Sequence, residues 1–138
     1  MQQQELLKRL IKVITTHGIS EVKDMKDNIK INVLGTEYDV EFLDERDEAM
    51  KALNADGYTD FSIKSIKVLK NKEEDDATKQ KDRIKYQNRV LRHELIHAFL
   101  FESGIDDGMQ FHNEECVDFF AMQYEKLAKI FEYAGCWE

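Results

Sequence analysis

A chain of 138 residues is long enough for one hydrophobic core but not for two, so the sequence predicts a single domain spanning residues 1–138. Its hydrophobic content of 42% and charged content of 35% are typical of a folded globular protein rather than a disordered one. The formal net charge is -8 and no stripe of clustered Lys and Arg is visible, which argues against a nucleic-acid-binding groove.

Membrane insertion and secretion are not expected from this sequence. No apolar run approaches membrane-spanning length, and the first residues lack the basic end and apolar core of a signal peptide. The two cysteines, Cys116 and Cys136, do not form a C-x-x-C pair, and both are expected to be reduced. These features predict a cytoplasmic protein without a membrane partner.

The first part of the chain predicts a helix, a hairpin and a second short helix. Residues 2–16 have the apolar spacing of an amphipathic helix that ends at Gly18, and His17 is expected to be exposed beside that end. Apolar residues alternate on either side of residues 34–36, which predicts a β-hairpin. Residues 44–54 are predicted to form a short acidic helix.

A second hairpin is predicted within residues 58–70. Its apolar residues change from odd to even positions near residues 64–65, and a phase change of this kind indicates a turn or a bulge. The charged segment 71–81 contains almost no apolar residues and is expected to be a loop that leads into the next helix.

Residues 93–97 read His-Glu-Leu-Ile-His inside an apolar run that predicts a buried helix. Residues four apart on an α-helix lie on nearly the same face, so the imidazoles of His93 and His97 can reach one metal ion. Glu94 lies beside that pair, where it can contact a water molecule as a general base. Three ionisable groups in a buried helix are costly to desolvate unless something compensates for them, and a metal ion does so.

The next predicted helix begins near residue 113 and carries two candidates for a third ligand. Its apolar stripe extends back by one turn to Glu114, whereas Glu115 shares a face with residues that turn towards solvent. Glu114 is therefore the expected ligand and Glu115 the alternative, although the helix dipole alone also favours acids in a first turn. Asp118 follows on the side of Glu114, where it can accept a hydrogen bond from a ligand histidine.

Together these segments resemble the gluzincin pattern, in which a Glu on a later helix completes the zinc site of HExxH. Residues 113–118 fit the N-E-x-x-x-D template of the thermolysin-type enzymes, and residues 114–121 are similar to the E-x-x-x-[ND]-x-F-A segment of the ImmA/IrrE metallopeptidases. Residues 33–38, 56–60 and 90–100 resemble the small HExxH proteins of phages and prophages of Gram-positive bacteria. The likeness covers most of the chain and supports metal binding and fold better than it supports a substrate.

The resemblance implies an α+β protein with a minimal zincin-like fold, in which a small, mostly antiparallel sheet packs on the HExxH helix and a C-terminal helix. It implies a Zn²⁺-dependent peptidase, in the host cytoplasm if phage-encoded, that acts on a peptide or protein substrate. Candidate donors to the oxyanion are Tyr124, His112 and Tyr58, and the sequence does not choose among them. His112 is equally explained as a helix-start residue facing water. The strand at residues 66–70 would border the cleft and either bind an extended peptide or pack as an ordinary edge strand.

Two further functions remain open from the sequence. The chain can be a zinc-binding interaction module that retains the zincin scaffold without proteolysis, or a structural zinc domain. Glu94 argues against the structural domain, because a general base has no use in a closed structural site. The oligomeric state is left open.

Overall fold

The computed structural model describes residues 28–70 and 82–137, which form four strands and three helices. The strands are β1 (Ile29–Val33), β2 (Thr36–Leu43), β3 (Gly57–Asp60) and β4 (Ser65–Leu69). The helices are α1 (Glu48–Leu53), α2 (Arg83–Glu102) and α3 (Glu114–Ala134). The α+β class is therefore confirmed. The expectations for residues 2–16, His17 and residues 71–81 lie outside the described residues.

Both predicted hairpins are present. β1 pairs antiparallel with β2 across a turn at Leu34 and Gly35, where φ is 50° and 95°, and Asn32 Oδ1 accepts a hydrogen bond from the Gly35 N–H. Positive φ at both central residues matches the twist of a two-residue hairpin. β3 pairs antiparallel with β4, and the turn between them ends at Lys64, which adopts a left-handed φ of 55°.

The strand order is β1-β2-β4-β3, and β2 pairs parallel with β4. The sheet is therefore mixed, with two antiparallel pairs and one parallel pair. This order shows that the interpretation of residues 66–70 as an edge strand is wrong. β4 has neighbours on both sides, so its backbone groups are already paired and cannot accept a peptide strand. The edge strand on that side of the described sheet is β3.

The core lies between one face of the sheet and α2. Alternate residues of β2 and β4 turn the fully buried side chains of Tyr38, Val40, Ile66 and Val68 towards Ala98 of the helix. The period of two in the strands and the apolar face of the helix are what bring these residues together. α3 then packs against α2, so the first turn of α3 comes close to the middle of α2.

Glu102, at the last turn of α2, connects this helix to the sheet. Its carboxylate accepts hydrogen bonds from Thr36 Oγ1 at 2.9 Å, Tyr38 Oη at 2.7 Å and Lys64 Nζ at 2.6 Å. The hydrogen bond from Lys64 is the main reason that the pKa of Glu102 lies below its ordinary value of 4.5. Burial, followed by the bond to Glu102, raises the pKa of Tyr38. These contacts set the position of α2 along the sheet.

Two smaller expectations can also be compared with the structure. Both cysteines are free thiols, as expected for reduced residues. The short acidic helix is present, although it spans only Glu48–Leu53, begins after the cap Asp47 and ends at Asn54 in a left-handed conformation. None of the described helices has the length and apolar character needed to cross a membrane.

Candidate metal centre

The two histidines of the HELIH segment and the first residue of α3 meet at one point. On α2, the Nε2 atoms of His93 and His97 lie 3.0 Å apart. Glu114 places Oε2 at 2.9 Å from His93 Nε2 and Oε1 at 3.1 Å from His97 Nε2. Among the described residues, this is the one group of three His, Cys, Asp or Glu side chains whose ligand atoms lie close enough to hold a metal ion.

Hydrogen bonds on the far side of each ring determine the protonation of the two candidate ligand nitrogens. His93 Nδ1 lies 2.8 Å from Asp118 Oδ1, which accepts, so the His93 proton is on Nδ1. Asp118, which was predicted to accept a hydrogen bond from a ligand histidine, therefore contacts His93. Its Nε2 then carries a lone pair that points towards Glu114.

His97 is oriented by a second histidine. His112 Nδ1 lies 2.8 Å from the carbonyl oxygen of Ile105, which can only accept, so neutral His112 carries its proton there. His112 Nε2 is then the acceptor for the Nδ1–H of His97, at 2.8 Å. His97 Nε2 consequently carries a second lone pair that faces Glu114. Burial also lowers the pKa of His97, which favours the neutral form that binds metals.

This arrangement brings acceptors together without a donor between them. With the rings neutral, two imidazole lone pairs and a carboxylate face one another within 3.1 Å. Such groups repel unless a cation lies among them. The distances between these atoms are also close to those expected around one metal ion. Two atoms bound tetrahedrally to one Zn²⁺ at about 2.0–2.1 Å lie roughly 3.3 Å apart. The residues present therefore fit a metal ion.

Glu94 is held on the sheet side of this cluster. Its side chain is buried, and Oε2 accepts a hydrogen bond of 2.6 Å from Thr59 Oγ1 on β3. Burial is the main reason that the pKa of Glu94 is raised above 4.5, and the Thr59 bond opposes this shift. Gly57 permits the close approach of β3, because a Cβ atom there would lie 2.6 Å from Val90 Cγ1 and 3.0 Å from Glu94 Cγ.

Other predicted residues lie apart from the cluster. Glu114 and Glu115 are both exposed, but only Glu114 belongs to the group of ligand atoms. Tyr124 lines a separate apolar cavity between β1, α2 and α3, where the Arg92 guanidinium lies 5.3 Å from its ring centre. The structure therefore does not bring Tyr124 to the cluster. His112 is 2% exposed rather than facing water, because both of its ring nitrogens are hydrogen-bonded within the protein.

A cavity of about 630 Å³ opens over the cluster. Its wall contains His93, His97, Glu94 and Glu114, together with residues of β3 and the first half of α2. Of the three candidate oxyanion donors, Tyr58 is the one that lines this cavity, and its hydroxyl donates to Asp60 Oδ2 at 3.1 Å. The cavity places the candidate metal ligands at the floor of a cleft bordered by the edge strand β3.

Three contributors to this site are not predicted from the sequence: His112 as a partner of His97, Thr59 as a partner of Glu94, and Gly57. Positions 57 and 59 lie on the same face of any strand, which is a weak indication that Gly57 and Thr59 meet the same neighbouring element. No local signal identifies His112, because its partners are 7 and 15 residues away.

Comparisons with known proteins do not place this chain in a family. The chain matches no protein-family model, no curated protein and no solved structure.

Proposed function

We propose that this chain is a zinc-dependent metallopeptidase with a minimal zincin-like fold. The observation that carries the proposal is the convergence of three neutral or anionic acceptors, His93, His97 and Glu114, next to a buried glutamate on the same helix. Two nitrogens and one carboxylate oxygen form the ligand set of catalytic zinc sites, which leave a fourth position open. A closed structural site would use a fourth protein ligand instead.

When bound, Zn²⁺ would activate a water molecule for attack and polarise the scissile carbonyl. The protein groups then have separate tasks. Asp118 and His112 hold the imidazoles of His93 and His97 in the tautomer that presents Nε2. Glu94 accepts the proton of the attacking water and returns it to the leaving amine. Its raised pKa suits both steps, because a general base that must also act as an acid works best with a pKa near the working pH.

Thr59 keeps the carboxylate of Glu94 in place by donating to Oε2, so that Oε1 is the oxygen left for proton transfer. Tyr58 is the candidate for a donor to the oxyanion, because it lines the cleft. We further propose that an extended peptide substrate lies along the edge strand β3, and not along residues 66–70 of the internal strand β4.

The first experiment is elemental analysis of bound metal in the wild type and in His97→Ala, Glu114→Gln, Glu115→Gln and Glu94→Gln. We expect one zinc per chain in the wild type, in Glu94→Gln and in Glu115→Gln, and loss of zinc in His97→Ala and Glu114→Gln. Glu115→Gln is the matched control, because it removes the same charge from the same helical turn. A wild type without stoichiometric metal would contradict the proposal.

The second experiment tests cleavage of an unbiased peptide library. Wild type is expected to cleave, and Glu94→Gln is expected to lose at least 100-fold in rate while retaining zinc.

A second candidate is a zinc-binding interaction module. It is favoured by exposed apolar side chains on the last turns of α3 and beyond, where Ile130, Tyr133 and Trp137 are 61%, 96% and 62% exposed. Exposed apolar residues in such numbers are typical of surfaces that bind other proteins. Stoichiometric zinc without cleavage of any peptide would favour this module over the peptidase.

A further inference from the structure

The cavity above the candidate metal centre is unequally charged. Among the described residues that line it, five carry a carboxylate and one is a Lys or Arg, Arg89. The five are Asp56, Glu94, Asp107, Glu114 and Asp118. A substrate group that carries a negative charge is therefore disfavoured beside these carboxylates, and Arg89 is the Lys or Arg of the described wall that can neutralise it away from the metal centre.

Arg89 is placed on the same face of α2 as the candidate ligands. It precedes His93 by four residues, which is about 6 Å along the helix axis. Residues at this spacing lie one above the other on the same face. The guanidinium is therefore near enough to contact a substrate residue next to the bond held at the metal centre.

Arg89 has no carboxylate partner among the described residues, where it forms neither a hydrogen bond nor an ion pair. Asp56, an acid of the same cavity wall, is already bound by Arg46 and by the Tyr86 hydroxyl. Burial and this contact with Asp56 raise the pKa of Tyr86 to about 12, so Tyr86 remains a donor. Asp56 is thus held by other groups, and the half-buried Arg89 faces the cavity with its donors unused by these neighbours.

We propose that Arg89 forms a subsite for a carboxylate of the substrate, next to the scissile bond. The planar guanidinium offers paired N–H donors that match the two oxygens of a carboxylate. The carboxylate comes either from an Asp or Glu side chain or from the C-terminus of a short peptide. This inference rests on the proposed peptidase function and specifies its substrate class.

The test uses binding, so that it does not depend on turnover. Two pairs of peptide hydroxamates, which bind a zinc ion through the hydroxamate, are titrated calorimetrically into the zinc-loaded protein. One pair differs by Glu against Gln beside the hydroxamate, and the other by a free C-terminal carboxylate against its amide. We expect the carboxylate member of one pair to bind about 10- to 100-fold more tightly. The pair that shows the difference identifies the source of the carboxylate.

Arg89→Gln is expected to abolish this preference while leaving the zinc content unchanged, and Arg89→Lys to retain part of it. Lys85→Gln is the matched control, because it removes one positive charge from α2 at an exposed position outside the cavity. Equal affinities within both pairs, or a preference that persists in Arg89→Gln, would overturn the subsite and leave the peptidase proposal standing. A loss of preference in Lys85→Gln as well would also overturn it, since the effect would then be general charge. Absence of stoichiometric zinc would instead overturn the proposed function.

Discussion

At the scale of single residues, the protonation state of the cluster depends on partners outside it. A carbonyl oxygen at Ile105 determines which nitrogen of His112 carries its proton, and His112 in turn determines which nitrogen of His97 does. Asp118 acts in the same way on His93. The candidate ligands are therefore prepared for a cation by hydrogen bonds that end in the backbone for His97 and in a carboxylate for His93.

We expect His112→Ala to weaken zinc affinity by about 10- to 100-fold, because His97 loses the acceptor that holds its tautomer and ring orientation. Competition with a chromophoric chelator measures this change. His112→Gln keeps one acceptor and one donor and is expected to lose less. An unchanged affinity in His112→Ala would contradict the positioning role of His112.

We expect Glu94→Gln to stabilise the metal-free protein at pH 8, as measured by urea unfolding. Burial raises the folded-state pKa of Glu94, so its contribution to stability is present below the ordinary value of 4.5 and is lost as the pH rises through the raised pKa. The amide has no charge to bury. The stability difference between Glu94→Gln and wild type should therefore be larger at pH 8 than at pH 4, and a difference that shrinks with rising pH would contradict this account.

At the scale of elements, the site depends on how closely β3 approaches α2. The strand brings Thr59 to the Glu94 carboxylate, and Gly57 allows this approach because it has no side chain. β3 is short, at four residues, and it lies at the edge of the described sheet. Pairing with β4 and packing against α2 together hold this short strand.

Gly57→Ala is expected to destabilise the protein by about 1–3 kcal/mol, because the added methyl group overlaps Val90 and Glu94 in a packed contact. The rate of the proposed peptidase should fall more than the zinc affinity, since the added methyl displaces Glu94, whereas the candidate ligands His93 and His97 are positioned by Asp118 and His112. Gly108→Ala is the control, because no atom lies within 4 Å of a Cβ added there. Equal effects of the two substitutions on unfolding in urea would contradict the tight approach.

At the scale of the whole molecule, the middle and the last turn of α2 are positioned by different contacts. The middle of the helix packs on the sheet through apolar residues, and its last turn is held through Glu102. Lys64, which adopts a left-handed backbone conformation after β3, reaches this carboxylate with a side chain that is 32% exposed. This contact couples the β3–β4 turn to the helix that carries the candidate metal ligands.

Lys64→Met is expected to lower the free energy of unfolding by about 1–3 kcal/mol at pH 7, because it leaves the Glu102 carboxylate without its cation. Lys30→Met is the control: the ion pair of Lys30 with Glu37 is exposed on both sides, so this substitution should change stability less than Lys64→Met does. The pKa of Glu102 is lowered, so the stability it contributes is present above 4.5 and is lost as the pH falls through the lowered value. The difference between wild type and Lys64→Met should therefore shrink on acidification, as urea unfolding at pH 3 and pH 7 can show.

The sequence alone determined the elements whose signals are local. Spacing four residues apart on a helix places His93 and His97 together, alternation around residues 34–36 specifies the first hairpin, and the phase of the α3 stripe favours Glu114 over Glu115. The tertiary structure decided what depends on distant contacts. In the folded chain, β4 lies between β2 and β3, His112 is buried, and Tyr124 lines another cavity. Periodicity describes which face a residue occupies, but only the packing of whole elements decides which other face it meets.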